Sequence, residues 1–230
     1  MSVYTNTIWE GIPTSVSVLV PTRDTVYSHF SLSLGNLIKT TTQMGIDVHL
    51  FFDASTILIN QRENLINQAI AMKSEWVFWL DSDMMFPPTT LLRLLAHKQD
   101  IVACNYMKRA SPFKSVAFTD TNDFESWIPI QSEDDLVTVE AIGMGCVLMK
   151  TSVFQKLNKP YFEYTYQPKT NDWVGEDFTL FKKLNKVGYQ VKVDMNLSND
   201  IYHIGTFAYG KNLDSNIQKK REWNNKRKKG

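Results

Sequence analysis

Short apolar runs alternate with amphipathic segments along most of the chain. The apolar runs have the length of buried strands, and we predict strands over 16–20, 46–52, 76–80, 101–104, 137–142 and 189–193. Between them, apolar residues recur at helical spacing, and we predict helices over 28–43, 61–73, 87–98, 151–157 and 176–186. Gly45 and Gly188 are expected to end two of these helices. Residues 106–135 are less periodic and are predicted to form loops with short strands. The alternation as a whole predicts an α/β fold.

Composition narrows the broad class of the protein. The chain has 230 residues with 25 Lys and Arg against 24 Asp and Glu. The resulting net charge of +1 argues against a protein that binds along nucleic acid as its main role. No apolar run approaches the roughly 18–20 residues that span a bilayer. The N-terminus lacks the pattern of a secretory signal, and Cys104 and Cys146 are expected to be free thiols, so we predict a cytoplasmic location. We expect one domain over 1–210, followed by a basic, polar tail over 211–230.

The strongest local motif is an acidic pair directly after an apolar strand. Asp81 and Asp83 follow the segment WVFWL, so they are predicted to lie at the carboxyl edge of the sheet, where open α/β sheets bind ligands. Carboxylates beside a hydrophobic core need a counter-cation, and a divalent ion shared with a substrate diphosphate would supply it. In the alternative interpretation, Asp81 caps the next helix and Asp83 is solvated.

One of the four histidines is a candidate for the same site. His203 lies in the segment YHIG, where the following glycine allows the backbone to approach a ligand. Taken alone, a histidine here would more often be a satisfied core residue. Together with the aspartate pair, it is predicted to be a metal ligand.

A second acidic pair, Glu176 and Asp177, stands at the start of a predicted helix. Acidic residues in a first turn complement the helix dipole, which is the structural interpretation. The functional interpretation is a general base that removes a proton from an attacking hydroxyl. Trp173 precedes this pair and could stack on a sugar or belong to the core.

Two further features could contact a phosphorylated ligand. Gly143 and Gly145 flank Met144, and such a turn either brings the backbone close to a ligand or is simply tight. Four basic residues could neutralise a diphosphate, although each taken singly would more often be an ordinary surface cation. They are Arg23, Arg62, Lys108 and Arg109.

Seven segments, taken in order, resemble the motifs of one enzyme class. They are VSVLVPTRD, HLFFDAST, QRENLINQAI, WVFWLDSDMMFPP, GMGCVLMK, GED and HIG. This series resembles the GT-A fold glycosyltransferases and is most similar to family 2-like enzymes of the type found in bacteriophages and other viruses. The likeness extends over residues 16–206. It implies a Rossmann-like nucleotide-binding half and a mixed central sheet with helices on both faces.

The resemblance also implies a ligand set. The expected cofactor is Mn²⁺ or Mg²⁺, the expected donor is a nucleotide-diphosphate sugar, here a UDP-sugar, and the expected acceptor is a glycan, a lipid-linked sugar or a protein. The residues implied to bind the donor are Pro21, Thr22, Arg23, Asp53, Arg62, Asn64, Asp81, Ser82 and Gly145. Those implied to bind the metal are Asp81, Asp83 and His203. Asp177 matches the catalytic base of inverting members, and Glu176 is implied to help bind the acceptor.

Several alternatives stay open at this point. The first strand ends in Pro-Thr-Arg-Asp rather than the more usual Pro-x-Tyr-Asn, which leaves the contacts of Arg23 unassigned. A late histidine ligand also occurs in retaining enzymes, although inversion is expected here. No membrane helix follows the catalytic region, which favours transfer of a single sugar. The rival functions are a nucleotidyltransferase acting on a sugar phosphate and an inactive sugar-nucleotide binder. The basic tail could contact an anionic membrane surface. No specific nucleic-acid partner is expected. If the protein is viral, its expected location is the host cytoplasm.

Overall fold

The secondary structure is seen in a computed structural model that describes residues 14–109, 113–120, 128–132, 134–205 and 208–210. The strands of the described residues are, in chain order, β1 (Ser15–Pro21), β2 (Asp47–Asp53), β3 (Trp76–Leu80), β4 (Met84–Met85), β5 (Ile101–Ala103), β6 (Ala117–Asp120), β7 (Ile128–Pro129), β8 (Leu136–Val139), β9 (Ala141–Ile142), β10 (Cys146–Lys150), β11 (Thr165–Gln167), β12 (Asp172–Val174), β13 (Val191–Asp194), β14 (Tyr202–Ile204) and β15 (Ala208–Gly210). The α-helices are α1 (Ser28–Thr42), α2 (Leu58–Ala71), α3 (Thr90–Ala96) and α4 (Glu176–Lys186). Two 3₁₀ helices cover Thr151–Lys156 and Leu197–Asp200.

Seven of the strands form the central sheet, in the order β2-β1-β3-β10-β5-β13-β8. Strands β1, β2 and β3 are parallel, and β10 runs antiparallel between β3 and β5. Strand β13 is parallel to β5 and antiparallel to β8. Five strands therefore end at the same edge of the sheet, and the chain enters β10 at that edge.

Burial explains why these segments form a covered sheet. All five residues of β3 are buried, and Val16–Pro21 of β1 are buried as well. A central strand with both faces covered is expected to be continuously apolar in this way. The crossovers β1–α1–β2 and β2–α2–β3 traverse the sheet in opposite directions, and since such crossovers are right-handed, α1 and α2 lie on opposite faces. The predicted α/β fold with a mixed central sheet is confirmed.

The helices use their apolar faces to cover this sheet. Helix α1 buries Phe30, Leu34 and Leu37, and the Phe30 ring meets Phe86 edge to face at 6.1 Å. Helix α2 buries Leu65 and Ile66 and packs against β1 and β2. Helical spacing of the apolar residues accounts for both contacts.

Small additions to the central sheet surround its carboxyl edge. Strand β4 pairs with β14, which pairs in turn with β15. Strand β6 pairs with β7 and β9, and β11 and β12 form a separate two-stranded hairpin. These elements bring late parts of the chain back to the edge at which β1, β2 and β3 end.

Several predicted bounds are wrong in detail. Helix α2 begins at Leu58 rather than 61, helix α3 begins at Thr90 rather than 87, and the predicted helix 151–157 is a 3₁₀ helix. The predicted strand 137–142 is divided into β8 and β9. Strand β10, which directly follows the turn at Gly143 and Gly145, was not predicted. Its place between β3 and β5 depends on pairing distant in sequence, which periodicity does not report.

Some predictions fall outside what the structure describes. No helix of the described ranges is both long and apolar enough to cross a membrane. The basic tail 211–230 lies outside the described residues, so its proposed membrane contact and the boundary at residue 210 stay predictions. The cytoplasmic location likewise stays a prediction.

Candidate active site

A cleft of about 570 Å³ lies where β1 and β3 end. Backbone and side chains from the β1 end, the start of α2, the turn after β3 and β14 line it. Of the thirteen site residues that the resemblance implies, eight line this cleft: Pro21, Thr22, Arg23, Arg62, Asp81, Ser82, Asp83 and His203. The other five do not line it: Asp53, Asn64, Gly145, Glu176 and Asp177.

The acidic turn after β3 is held by backbone contacts on both sides. The Asp81 amide donates to the Gly145 carbonyl at 3.2 Å, which ties the turn to the start of β10. The Ile204 amide donates to the Asp83 carbonyl at 2.7 Å, which ties it to β14. The two carboxylates then diverge, because Asp81 pairs with Arg62 whereas Asp83 pairs with Arg109 at 2.9 Å and faces His203 at 3.3 Å. Burial raises the pKa of Asp81, and the charge of Arg62 opposes that rise.

His203 lies within β14, opposite Met84 of β4. Its Nδ1 lies 3.2 Å from the Met107 carbonyl oxygen. Because a carbonyl can only accept, Nδ1 carries the proton in this contact, and a neutral ring then has its lone pair on Nε2. Nε2 is the atom that faces Asp83. A backbone carbonyl that fixes the tautomer is the usual support of a metal-binding histidine.

The geometry of Asp83 and His203 can be compared with that of the ligands of a divalent ion. Asp83 Oδ2 and His203 Nε2 are 3.3 Å apart, close to the about 3 Å between neighbouring ligands of one octahedral ion. Asp81 pairs with Arg62, and the described residues contain no group of three His, Cys, Asp or Glu side chains that could hold a metal. The metal-binding role of Asp81 stays a prediction. Mg²⁺-type ions are commonly bound by one or two carboxylates together with substrate phosphates. The residues fit an ion shared with a substrate, and they do not fit a closed protein cage.

Arg62 connects the two acidic motifs. Its Nε donates to Glu176 Oε1 at 3.0 Å and one terminal nitrogen contacts Asp81 Oδ1 at 3.3 Å. The residue is only 3% exposed, so it is not an ordinary surface cation. Burial by itself would lower the pKa of Arg62, but the charges of Asp81 and Glu176 raise it overall. The other terminal nitrogen, Nη1, has no hydrogen-bond partner among the described residues, although it is buried at the edge of the cleft.

The second acidic pair begins helix α4, and its two members have different environments. Glu176 is 5% exposed and bonded to Arg62, and its expected contact with the acceptor stays a prediction. Asp177 is half-buried, and its Oδ1 accepts from the Phe178 amide at 2.8 Å. Burial, followed by the charge of Glu176, raises the pKa of Asp177 to about 7, and Arg62 limits the rise. Of the pair, Asp177 is the less buried residue.

Gly175 allows the Asp177 carboxyl to take this position. A Cβ at residue 175 would lie 2.6 Å from Asp177 Oδ1. A larger residue would therefore push the carboxyl aside. The absence of a side chain at Gly175 therefore leaves room for the Asp177 carboxyl.

The donor-side loops are joined by polar contacts around α2. Gln61 is buried, and its amide donates to the carbonyls of Thr22 and Ser55, so it holds together the loops that follow β1 and β2. Asp53 accepts from the Asn64 amide and the Ser55 backbone, each at 2.9 Å, and although burial alone would raise it, these bonds lower the pKa of Asp53. Asp53 and Asn64 thus satisfy each other beside the cleft and support its wall.

Tyr106 is a site residue that the sequence did not single out. Its hydroxyl accepts from the Gly145 amide at 2.9 Å, and its ring meets His203 edge to face at 5.4 Å. Burial raises the pKa of Tyr106 well above its ordinary value, so it is neutral. A Cβ at Gly145 would lie 2.5 Å from the tyrosine oxygen, so Gly145 makes room for Tyr106 and does not line the cleft. The sequence signal that could have identified Tyr106 is its position just after β5, at the carboxyl edge of the central sheet.

The remaining candidate cations have separate environments. Arg109 bonds both Asp83 and the Ile204 carbonyl, so it supports the cleft wall that it lines. Arg23 is exposed at the cleft. Lys108 lies 6.0 Å from the centre of the Phe118 ring and does not line the cleft.

Comparison with known proteins gives one family match. The Anp1 family model matches residues 56–188, which include α2, the acidic turn and the whole of α4. Over 78 residues the chain is 31% identical to the mannan polymerase complex subunit mnn9 of Schizosaccharomyces pombe. That alignment covers 34% of this chain and 22% of the yeast protein, so the chain spans about a fifth of the curated relative that it matches.

Two solved structures are similar to the chain. A197 from STIV aligns with a TM-score of 0.58 at 16% identity, covering 83% of this chain and 86% of its own, which shows a common fold. A glycosyltransferase involved in glycosylation of the major capsid of PBCV-1 aligns over 79% of this chain and 82% of its own, at 13% identity. Its TM-score of 0.44 is too low to add to that conclusion. Because the family match covers more than half of the chain, this protein belongs to the Anp1 family, and its resemblance to GT-A fold glycosyltransferases is confirmed.

Proposed function

We propose that this member of the Anp1 family is a metal-dependent glycosyltransferase that moves one sugar from a nucleoside-diphosphate sugar to an acceptor hydroxyl. The observation that carries the proposal is the bridge made by Arg62, which joins Asp81 of the acidic turn to Glu176 beside Asp177. The bridge holds a donor cleft and a carboxyl of raised pKa next to each other. Such proximity is what a group transfer requires.

The donor diphosphate is proposed to bind among the cations of the cleft. Arg62, Arg23 and Arg109 all line this cleft. Guanidinium groups match phosphate oxygens in charge and geometry.

Asp83 and His203 are proposed to hold Mn²⁺ or Mg²⁺ together with that diphosphate. The contact of His203 Nδ1 with the Met107 carbonyl leaves Nε2 available as a ligand atom. When bound, such an ion neutralises charge that develops on the leaving diphosphate.

Asp177 is proposed to accept the proton of the attacking hydroxyl. A base whose pKa lies near the working pH can both lose and gain the proton readily, and that of Asp177 is about 7. Asp177 is less buried than Glu176, which is engaged with Arg62. Direct attack assisted by this base implies inversion at the transferred carbon.

The sugar and the base of the donor are separate questions. The resemblance implied a UDP-sugar, while the name of the yeast relative refers to mannan, which favours mannose as the transferred sugar. Both nucleotide classes therefore belong in the test. The acceptor is proposed to be a glycan.

The test is a donor panel of UDP- and GDP-sugars, including GDP-mannose, with Mn²⁺ or with EDTA. We expect one donor to release its nucleoside diphosphate in the presence of Mn²⁺ and a glycan acceptor, and nuclear magnetic resonance of the product to show an inverted anomer. Asp177→Asn should lose transfer, whereas the exposed control Asp47→Asn should retain it.

Three results would contradict parts of the proposal. Release of pyrophosphate from a nucleoside triphosphate and a sugar phosphate would identify a nucleotidyltransferase. A retained anomer would remove Asp177 as the base of a direct displacement. No turnover of any donor would favour a binding protein.

A further inference from the structure

The hairpin of β11 and β12 presents two aromatic rings to solvent. Tyr166 and Trp173 are directly opposite in the strand pairing, with ring centroids 5.3 Å apart and ring planes at 59°. Tyr166 is 44% exposed and Trp173 is 63% exposed, so Trp173 is not part of the core. The two rings are referred to below as the aromatic pair. Large exposed aromatic rings side by side are typical of a binding surface.

The opposite face of the same hairpin is anchored to helix α4. Thr165 and Val174 form the neighbouring cross-strand pair, and side chains of successive residues alternate between faces. Val174 is 6% exposed, and Thr165 Oγ1 lies 3.2 Å from Thr179 Oγ1 of α4. The hydroxyl of Tyr166 is held by Asn171 at 2.6 Å. The aromatic pair is therefore presented by a fixed support.

This support leads directly into the proposed reaction centre. Trp173 is four positions before Asp177, and only Val174, Gly175 and Glu176 intervene. Tyr164 lies just before β11 and precedes Tyr166 by two positions, the spacing of residues on one face of an extended segment. Tyr164 is 44% exposed, and after burial the next cause that raises its pKa is the charge of Glu176, which places Tyr164 near the acidic pair.

We propose that the aromatic pair is an acceptor subsite that stacks on a sugar ring of a glycan, one or more residues away from the hydroxyl that receives the transferred sugar. This inference rests on the proposed function. Pyranose rings have a C–H face that is attracted to the electron-rich face of an aromatic ring. The turn between the two strands contains Lys169, Thr170 and Asn171 and is polar, which suits a carbohydrate better than a lipid chain.

The test measures glycan binding without donor or metal. Mannotriose, maltotriose and chitotriose are titrated by calorimetry into the full chain and into three variants. Trp173→Ala removes the ring, Trp173→Phe keeps a ring of smaller size, and Leu32→Ala alters a comparably exposed residue on α1, at 66% exposure. We expect at least one trisaccharide to bind, with affinity about tenfold weaker in Trp173→Ala and restored largely in Trp173→Phe. Leu32→Ala should bind like the unaltered chain.

The results that overturn the subsite differ from those that overturn the proposed function. Absence of binding by all three trisaccharides, or equal binding by Trp173→Ala, overturns the subsite even if donors are turned over. Binding to phosphatidylglycerol vesicles that Trp173→Ala abolishes, without trisaccharide binding, would assign the rings to a membrane contact instead. If no donor is turned over, the glycosyltransferase mechanism is contradicted. The trisaccharide titration can still be interpreted, because it uses neither donor nor metal.

Discussion

The burial of Arg62 distinguishes it from an ordinary surface arginine. Its carboxylate partners are 19 and 114 positions away in the sequence, so the two ion pairs that justify its burial are not visible locally. A buried guanidinium is tolerated only with such partners, because an isolated buried charge is strongly unfavourable. The helical pattern of α2 puts Arg62 on the same buried face as Leu65, Ile66 and Ala69. That position was the available signal for its role.

Replacing Arg62 with methionine is predicted to destabilise the protein strongly. Arg62→Met leaves Asp81 and Glu176 without their cation, and loss of one member of a buried ion pair typically costs about 3–5 kcal/mol. Urea unfolding at pH 7 measures the change. The control is Lys150→Met, since Lys150 and Asp100 form a pair at 2.8 Å whose side chains are 43% and 48% exposed, and its loss should cost under about 1 kcal/mol. Equal midpoints for the two variants would show that the bridge is not needed for stability.

Asp177 is predicted to determine the pH dependence of transfer. A general base must be ionised, so with a pKa of about 7 the rate should rise as the pH increases through 7 and then level off. Asp177→Asn should reduce the rate by about 10²- to 10⁴-fold and abolish this rise. The measurement is initial rate at saturating donor from pH 5.5 to 9. A profile that keeps the same rise in the variant would assign it to another group.

The same carboxyl predicts a pH-dependent effect on stability. Its pKa is raised from 3.8 to about 7 on folding, so the folded state binds the proton more tightly than the unfolded state. The stability contributed by Asp177 therefore falls as the pH rises from about 4 to 7 and is constant above that. The melting temperature of Asp177→Asn, minus that of the unaltered chain, should grow over this range and then level off. A difference that shrinks with pH would contradict the raised pKa.

At the scale of elements, the turn between β9 and β10 is predicted from its glycines, but the reason for those glycines is found in tertiary packing. Gly143 and Gly145 were recognised as a turn, but the reason for the glycines is the Tyr106 ring, which a Cβ at either position would contact at 2.7 Å or less. The helix bounds were predicted within a few residues because apolar spacing and the glycines at 45 and 188, with φ of +81° and +91°, are local signals. Strand β10 and the hairpin β11–β12 were missed, since both depend on pairing partners elsewhere.

Substituting the two kinds of glycine is predicted to give opposite results. Gly145→Ala puts a Cβ 2.7 Å from the Tyr106 ring carbon Cζ and should destabilise the protein by about 1–3 kcal/mol. Gly35 lies inside α1 with nothing within 4 Å of an added Cβ, so Gly35→Ala should stabilise by about 0.5–1 kcal/mol. Thermal unfolding of the two variants provides the comparison. A stable Gly145→Ala variant would mean that Tyr106 can move away from the turn.

At the scale of the whole molecule, the cleft joins parts of the chain that are far apart in sequence. Asp83 follows β3, whereas His203 belongs to β14, 120 positions later, and the two meet because β14 pairs with β4. Ligand binding to such a site should stabilise the folded chain as a unit, since the unfolded chain cannot bring the two residues together.

Donor and Mn²⁺ are predicted to raise the melting temperature together. At a ligand concentration 100 times Kd the stabilisation is about 2.7 kcal/mol, and EDTA should remove most of it. Asp83→Ala should lose the Mn²⁺-dependent part, whereas Asp100→Ala, which alters an exposed pair with Lys150, should retain it. A full Mn²⁺-dependent shift in Asp83→Ala would place the ion elsewhere.

The sequence by itself determined the fold class, most helix positions, the family resemblance and eight residues that line the cleft. These follow from periodicity and from motifs at strand ends, which are properties of short segments. Only the tertiary structure decided which carboxylate pairs with which cation, that Glu176 is more buried than Asp177, and that Tyr106 supports the Gly145 turn. It also gave Asp81 and Asp83 different partners, Arg62 for the first and Arg109 and His203 for the second. Charge pairing, burial and pKa depend on distances between residues remote in sequence, and those distances are set when the sheet forms.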